Sequence, residues 1–128
     1  VEDLTKHKMD SDLISVDTEA VQLVNKAKAE GRRICAVGTS VQRVLETATL
    51  TGGMLKEYDG WTNKFIFPEY EFHVANCMIA NFYAPYSTML MLTTAFGGYD
   101  NVMNAYQVAL DEGYRFGLYG DAMLIISK

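Results

Sequence analysis

Cysteine, histidine and proline are scarce in this sequence, which has two residues of each among its 128. So few cysteines and histidines, at spacings that do not suit zinc, lead us to expect no metal site. The most apolar stretch, residues 88–96, is about half as long as the roughly 20 residues that a membrane span needs. The opening residues are charged and polar, unlike a secretory leader. We therefore expect no membrane partner.

Positive charge is also in short supply. Eleven lysines and arginines against sixteen acidic residues give a net charge of −5. A protein that binds nucleic acid through phosphates normally presents a basic face, so any such role here requires a local basic patch or charge supplied from elsewhere. At 49% hydrophobic residues, the composition is that of a globular chain, and 1–128 fits one domain.

The two cysteines, Cys35 and Cys77, both lie in apolar runs. This placement predicts buried free thiols in a reducing compartment, and hence a cytoplasmic protein, although a disulfide stays open. The sequence starts with Val1 rather than methionine and shows no helix cap or strand pattern there. We interpret it as a piece of a longer protein, with a processed terminus as the alternative.

Hydrophobic periodicity predicts an α/β fold. A helix over 18–30, a strand over 33–38 buried on both faces, and a helix over 41–50 form a Rossmann-like αβα layer. Further strands are predicted over 65–67, 70–74, 77–82 and 122–126, with a turn at 59–60 and a mixed sheet overall. Two later helices are predicted, one over 87–96 and the other over 99–112. The 41–50 helix should bury a stripe of apolar residues, Val41, Val44, Leu45 and Ala48.

Three groups of residues could carry chemistry. At the turn after the first strand, Gly38, Thr39 and Ser40 could hold an anion at a helix N-terminus, with Arg43 adding charge. An ordinary turn with a hydroxyl cap is the alternative reading. This loop matches neither a dinucleotide-binding fingerprint nor a Walker loop.

The second group is Asn81, Ser87 and Thr88, around a proline-containing turn. Asn81 can bind a ligand or a neighbouring loop, and Ser87 can equally serve only as a helix N-cap. The third group is Tyr114, Arg115 and Asp121. Its aromatic rings could stack on a base, Arg115 could pair with phosphate, and Asp121 is a candidate base or hydroxyl ligand. Packing and local ion pairing are the alternative. We expect no catalytic role for His73.

Taken together, these motifs resemble the C-terminal part of the S-adenosylmethionine:tRNA ribosyltransferase-isomerase family of queuosine biosynthesis. The pattern G-T-T-x-x-R-x-L-E is matched by Gly38, Thr39, Ser40, Arg43, Leu45 and Glu46. The pattern N-F-H-x-P-x-S-T-L-L-M is matched by Asn81, Phe82, Pro85, Ser87, Thr88, Leu90 and Met91. The closing E-G-Y-R-F-x-x-Y-G-D-A-M matches almost completely over 112–123, and the similarity covers nearly the whole chain.

The resemblance implies part of a larger two-domain enzyme, whose N-terminal region and inserted β-barrel domain are absent from this sequence. It implies that S-adenosylmethionine acts as ribosyl donor, with no separate cofactor, and that tRNA carrying preQ1 at the wobble position is the acceptor. The product is epoxyqueuosine, and adenine and methionine leave. On this reading Arg43 and Asp121 are catalytic, and the remaining site residues bind substrate: Gly38, Thr39, Ser40, Glu46, Asn81, Ser87, Thr88, Tyr114 and Arg115. The isolated chain is expected to be inactive.

The chain departs from the family at two places. Tyr83 stands where the family usually has His, and Tyr86 where it often has Lys. Near the start, the family's H-x-M-H-x-E appears as His7, Met9, Asp10 and Asp12, without the second histidine. These changes indicate a divergent member or a paralogue with altered activity.

Two other functional classes stay open. A Rossmann-like methyltransferase or nucleotide-binding module would fit the αβα unit, but it would need a glycine-rich loop that is missing. A diverged, non-catalytic interaction domain is suggested by Tyr83, Tyr86 and the negative net charge.

Overall fold

A computed structural model describes residues 11–85, 87–117 and 119–127. His7, Met9, Asp10 and Tyr86, named above, lie outside the described residues. The elements in chain order are β1 (Asp12–Val16), α1 (Thr18–Ala29), β2 (Cys35–Val37), α2 (Thr39–Thr47), β3 (Tyr58–Thr62), β4 (Cys77–Asn81), α3 (Thr88–Gly97), α4 (Tyr99–Asp111) and β5 (Ala122–Ile126).

The strands form two sheets. In the three-stranded sheet, β4 lies between β2, which runs parallel to it, and β5, which runs antiparallel. The α/β class with a mixed sheet is therefore confirmed. The second sheet pairs β1 with β3 in antiparallel fashion, with Leu13 opposite Trp61. The predicted turn at 59–60 is wrong, because both residues lie inside β3 and pair with β1.

Local capping explains where the helices begin. The Asp17 carboxylate accepts a hydrogen bond from the Ala20 amide at the start of α1, and the Ser87 hydroxyl accepts one from the Leu90 amide at the start of α3. One residue, Gly98, both ends α3 and precedes α4, with a φ of 86° that favours glycine. A side chain on Gly97 would approach Val102 Cγ2 to 2.8 Å. The two helices are thus joined without a loop.

The core lies against one face of the three-stranded sheet. Ala36, Met78 and Ala80 from this face are almost fully buried and belong to two core clusters. A third cluster, built on Phe82, Val102, Tyr106 and Ala109, packs against Ile125 of β5. The helices therefore enclose this face, as an α/β layer requires.

The opposite face of the same sheet is apolar and exposed. Val37, Ile79 and Leu124 lie in one register row across the three strands, and they are 64%, 37% and 60% exposed. In the next row, Ile126 is 50% exposed and Cys35 is exposed, while Cys77 is buried. The predictions that the 33–38 strand is buried on both faces and that Cys35 is buried are wrong, because no described element covers this face. The 122–126 strand, whose sequence also reads as that of a buried strand, is exposed on this face for the same reason. We call it the bare sheet face.

Residues 63–76 form an irregular segment where two strands were predicted, over 65–67 and 70–74. Both predictions are wrong. A turn at Pro68 and Glu69, where Glu69 has a φ of 78°, separates the two runs. Beyond it, the carboxylate of Glu46 accepts hydrogen bonds from the backbone amides of His73 and Val74, which would otherwise seek a neighbouring strand.

Helix α2 buries polar side chains on the side that faces the protein interior. Gln42, Arg43 and Glu46 are buried beside Leu45, and Ala48 at the helix end is buried too. The predicted stripe is correct for Leu45 and Ala48 but wrong for Val41, which is exposed. The difference arises because the neighbours of α2 offer polar partners to Arg43 and Glu46 as well as apolar contacts.

No helix among the described residues is both long and apolar enough to cross a membrane. The same residues contain no group of three or more His, Cys, Asp or Glu side chains placed to hold a metal ion.

Candidate functional site

A cavity of about 330 Å³ opens where β2 and β4 end. The structure brings residues from α2, β4, α3 and the connections beside them to its wall: Gly38, Thr39, Ser40, Arg43, Asn81, Tyr83, Thr88, Met89 and Leu92. Because β2 and β4 are parallel, their carboxyl ends lie at the same edge of the sheet, where α/β folds commonly bind ligands. This volume is at the lower end of the range for small-molecule sites. We call it the first cavity.

Two helix N-termini contribute to the first cavity. Residues 39 and 40 begin α2, and residues 88 and 89 begin α3. A helix N-terminus carries amide N–H groups without helical partners and the positive end of the helix dipole. The Ser87 side chain caps α3, whereas α2 has no side-chain cap, since its N-cap is Gly38. The start of α2 is therefore the stronger anion-binding end.

Gly38 makes this geometry possible. Its φ of 100° and ψ of 155° fall in a region that residues with a side chain rarely adopt. Its amide donates to the Ile79 carbonyl, which ties the turn to β4. The turn thus brings the backbone at the start of α2 to the cavity wall without a bulky side chain in the way.

Arg43 is the cation of the first cavity. Its side chain is 10% exposed, and its Nη1 lies 2.5 Å from Asp12 Oδ2 at the start of β1. Its Nε donates to the Lys64 carbonyl at 3.0 Å. The guanidinium is therefore fixed from two directions, by the small β1–β3 sheet and by the irregular segment.

Tyr83 supplies an aromatic wall. Its side chain is buried, packs in the cluster of Ile66, Met78, Ala80 and Leu92, and lines the cavity. Its backbone amide donates to the hydroxyl of Tyr106 at 2.7 Å. Desolvation is the main cause of a raised pKa at the Tyr106 phenol, which therefore stays neutral.

Glu46 follows Arg43 by three residues on α2 but does not line the first cavity. Its carboxylate side chain is completely buried and has four hydrogen-bond donors or partners within 3.1 Å: Tyr70 Oη, His73 N, His73 Nδ1 and Val74 N. Burial, followed by the bond to this carboxylate and its charge, raises the pKa of the Tyr70 phenol. The geometry makes Glu46 the anchor of the irregular segment.

The residues of the third group form an exposed loop after α4. The Arg115 amide donates to Asp121 Oδ2 at 2.7 Å, and the Asp121 amide donates back to the Arg115 carbonyl at 2.9 Å. Asn81, at the edge of the first cavity, donates through its side chain to the Asp121 carbonyl at 3.3 Å. The loop is thus closed on itself and attached to the cavity edge, while the half-exposed rings of Tyr114 and Phe116 pack on Phe82.

Sequence reasoning placed six of the cavity-lining residues among its candidates and omitted others. The sequence predicts a helix at Met89 and Leu92 but no place in a site, although their i, i+3 spacing after the Ser87 cap puts them on one helical side. Asp12 was noted only as a motif position and not as the partner of Arg43. Nothing in the sequence pairs those two residues, which are 31 positions apart.

Comparison with known proteins shows which family this chain is similar to. A sequence profile described as "Queuosine biosynthesis protein" matches residues 1–125. Two proteins named "S-adenosylmethionine:tRNA ribosyltransferase-isomerase" are similar over all 128 residues: one from Bacteroides fragilis at 64% identity and one from Phocaeicola vulgatus at 65%. A crystal structure of S-adenosylmethionine tRNA ribosyltransferase from Thermotoga maritima superposes with a TM-score of 0.83 at 44% identity, over 89% of this chain.

The match is complete for this chain and partial for its relatives. The chain spans 36% of the length of each of these two curated relatives and 40% of the Thermotoga maritima chain. Sequence identity at this level, together with the superposed fold, establishes the family of the chain. The chain belongs to the queuosine biosynthesis protein family.

Proposed function

We propose that the full-length protein containing this chain transfers and isomerises the ribosyl group of S-adenosylmethionine onto preQ1 in tRNA, and that it does so in the cytoplasm. The observation that carries the proposal is the first cavity, in which two helix N-termini, Arg43 and Asn81 converge within a chain 64% identical to a named ribosyltransferase-isomerase. S-adenosylmethionine enters as a substrate, and the proposal needs no further cofactor.

The first cavity suits the polar part of such a substrate. The amides at the start of α2, with the Thr39 and Ser40 hydroxyls, can bind a carboxylate such as that of the methionine moiety. Thr88 and Asn81 add hydrogen-bonding groups on the opposite side. The ring of Tyr83 offers a face to the positive sulfonium, since aromatic faces attract cations.

The two residues assigned to catalysis differ in position. Arg43 lies in the cavity wall, where it can stabilise negative charge that develops during the reaction. Asp121 lies at the cavity edge, and its carboxylate accepts the Arg115 amide. We propose that Asp121, Arg115 and Tyr114 meet the tRNA side of the substrate. Ser87 then acts indirectly by capping α3, and Glu46 by holding the irregular segment to which Arg43 donates.

We further propose that the rest of the full-length chain covers the bare sheet face. Parallel strands are normally buried on both faces, and β2 and β4 are parallel with one face exposed. Almost two thirds of the relatives' own length lies outside the part that this chain matches, which is ample to cover three strands. The partner of the bare sheet face is thus a segment of the same polypeptide.

The test is a measurement of adenine release. Full-length protein, S-adenosylmethionine and preQ1-containing tRNA are expected to yield free adenine and methionine in equal amounts, with none when the tRNA lacks preQ1. The 128-residue chain alone is expected to release no adenine. Formation of S-adenosylhomocysteine instead would contradict the proposal and indicate methyl transfer, and failure to bind tRNA even at low salt would indicate an interaction domain.

A further inference from the structure

A second cavity, of about 300 Å³, opens at the opposite end of β4. Its wall includes Lys28 in the last turn of α1, Arg32 after that helix, His73 and Asn76 from the irregular segment, and Ser127 after β5. Asn76 precedes β4 and Asn81 ends it, so the two cavities are separated by roughly 17 Å at about 3.3 Å per strand residue. The second cavity is therefore a separate site, and the proposed chemistry does not use it.

The second cavity is positive in a chain that is negative overall. Among the described residues that line it, none is a carboxylate, whereas Lys28 and Arg32 are cations and His73 is titratable. Residues 26–33 contain four basic residues, Lys26, Lys28, Arg32 and Arg33, and one acidic residue, Glu30. These four are more than a third of the eleven basic residues in the whole sequence. This is the local basic patch that binding of a polyanion would require.

The end of α1 presents these cations and keeps its carbonyl groups occupied. The amides of Glu30, Gly31 and Arg32 donate back to the carbonyls of Lys26, Lys28 and Ala27, at 2.9 to 3.1 Å. The negative end of the helix dipole is thereby partly satisfied within the backbone. An anion approaching this end meets side-chain cations before it meets open carbonyl oxygens.

The groups around the cavity are held in place. The Lys28 ammonium donates to the His73 carbonyl, and His73 Nδ1 lies 2.9 Å from the buried Glu46 carboxylate. Asn76 Oδ1 accepts from the Ile34 amide at 2.9 Å. By contrast, the Arg32 side chain is 72% exposed and pairs with the solvent-exposed Glu30, an ion pair that contributes little stability. Arg32 can exchange this partner for a phosphate at small cost.

We propose that the second cavity binds a backbone phosphate of the tRNA substrate, with Arg32 and Lys28 as its ligands. This rests on the proposed function, since it takes RNA as the acceptor. A distance of about 17 Å corresponds to roughly five stacked nucleotides at about 3.4 Å each. A tRNA nucleotide that meets its reaction partner at the edge of the first cavity therefore has backbone phosphates of its own strand within that range, and the second cavity adds affinity without reading sequence.

The test uses full-length protein and compares Arg32→Gln with Lys56→Gln. Lys56 is exposed and lies outside both cavities, so it controls for the loss of one positive charge. For Arg32→Gln we expect tRNA binding about three- to tenfold weaker at low salt, and a slope of log affinity against log salt smaller by about 0.7 to 0.9. The KM for tRNA should rise while kcat at saturating tRNA is unchanged. Lys28→Gln should act in the same direction, with folding checked by urea unfolding.

Three results would overturn this inference. If the wild-type protein binds tRNA and releases adenine, but Arg32→Gln matches Lys56→Gln in salt slope and KM, the inference fails while the proposed function stands. If inorganic phosphate, followed by calorimetry, binds wild-type protein and not Arg32→Gln while tRNA binding is unchanged, the cavity is a free-phosphate site. If the wild-type protein neither binds tRNA nor releases adenine, the proposed function fails as well.

Discussion

The Arg43 guanidinium lies 2.5 Å from the Asp12 carboxylate, and this pair joins the first strand to the wall of the first cavity. Asp12 is 56% exposed in its side chain and Arg43 only 10%, so the arginine is the member whose position depends on the pair. The small β1–β3 sheet therefore helps to position Arg43, which belongs to helix α2.

Replacing Asp12 with Asn is expected to loosen Arg43 without unfolding the protein. Losing one partly exposed, charge-assisted hydrogen bond should cost about 1 kcal/mol of stability and raise the KM for S-adenosylmethionine about three- to tenfold. Adenine release by full-length protein measures the KM. Asp59→Asn, on the paired strand β3, is the matched control and should leave the KM unchanged. Equal KM values for the two variants would contradict the positioning role of Asp12.

Glu46→Gln is expected to destabilise the protein by about 2–4 kcal/mol. A neutral amide cannot accept from all the donors that surround the buried carboxylate, and it brings N–H groups of its own against them. Urea unfolding of full-length protein measures the loss, and hydrogen exchange should show faster amides at His73 and Val74. Glu71→Gln, exposed in the same segment, is the control. A loss no larger than that of the control would show that Glu46 is not an anchor.

We expect the phenol of Tyr70 to make the free energy of unfolding decrease at alkaline pH. Its pKa is raised in the folded protein above the ordinary value of about 10, because burial and the Glu46 carboxylate disfavour the phenolate. Its contribution is complete below pH 10 and is lost as pH rises further, since the unfolded chain then releases a proton that the folded protein retains. Unfolding free energies between pH 9 and 11.5 should fall more steeply for wild type than for Tyr70→Phe. If the unfolding free energies of wild type and Tyr70→Phe fall in parallel with pH, Tyr70 does not contribute to the pH dependence.

The aromatic wall of the first cavity can be tested at Tyr83. Since the ring packs in the core cluster, Tyr83→Phe should keep adenine release within about threefold of wild type, whereas Tyr83→Ala should cost about 3–5 kcal/mol of stability. Adenine release and urea unfolding together separate the two effects. A drop of a hundredfold or more in Tyr83→Phe would assign proton transfer to the hydroxyl.

The bare sheet face can be tested by comparing Leu124→Glu with Leu23→Glu. The two leucines are 60% and 64% exposed in this structure, so by themselves they should tolerate a charge equally. If the rest of the full-length chain covers the sheet, Leu124→Glu should lose at least about 2 kcal/mol and Leu23→Glu much less. Equal losses of stability in the two variants would show that the rest of the chain does not cover the bare sheet face. A concentration-dependent mass in gel filtration of wild type, lost in Leu124→Glu, would show a second copy of the protein there instead.

Elements governed by local chemistry were predictable from the sequence. Ser87 followed by an apolar run and two glycines correctly marks α3, and the periodicity after Gly98 marks α4. The turn at Gly38 and the polar residues at Asn81 and Thr88 were recognised as candidates, and the structure brings them to one cavity. Their roles as substrate ligands stay predictions.

Features that depend on distant partners were not predictable in this way. The run from Phe65 to Val74 has the alternation of strands, yet its amides find a carboxylate on α2, and nothing local reveals that choice. Likewise, β5 reads as a buried strand, and whether Leu124 meets protein or water depends on what lies across the sheet. β3 was missed because Asp59 and Gly60 favour a turn in isolation, whereas pairing with β1 makes them extended.

The absence of a loop between α3 and α4 has a mechanical consequence. Gly98 joins the two helices, and Leu90 of α3 packs against the Phe82 cluster, which includes residues of α4, so we expect a tilt of α3 to move α4 with it. We therefore expect the side of the first cavity that contains Thr88 and Met89 to be rigid. Arg43, in another part of the cavity wall, donates to the Lys64 carbonyl, which belongs to the irregular segment. The described backbone of that segment has no continuous ladder of hydrogen bonds, and Glu46 holds it through the amides of His73 and Val74. We therefore expect a ligand of the first cavity to enter and leave past Arg43 and the irregular segment, and the side at Thr88 to stay fixed.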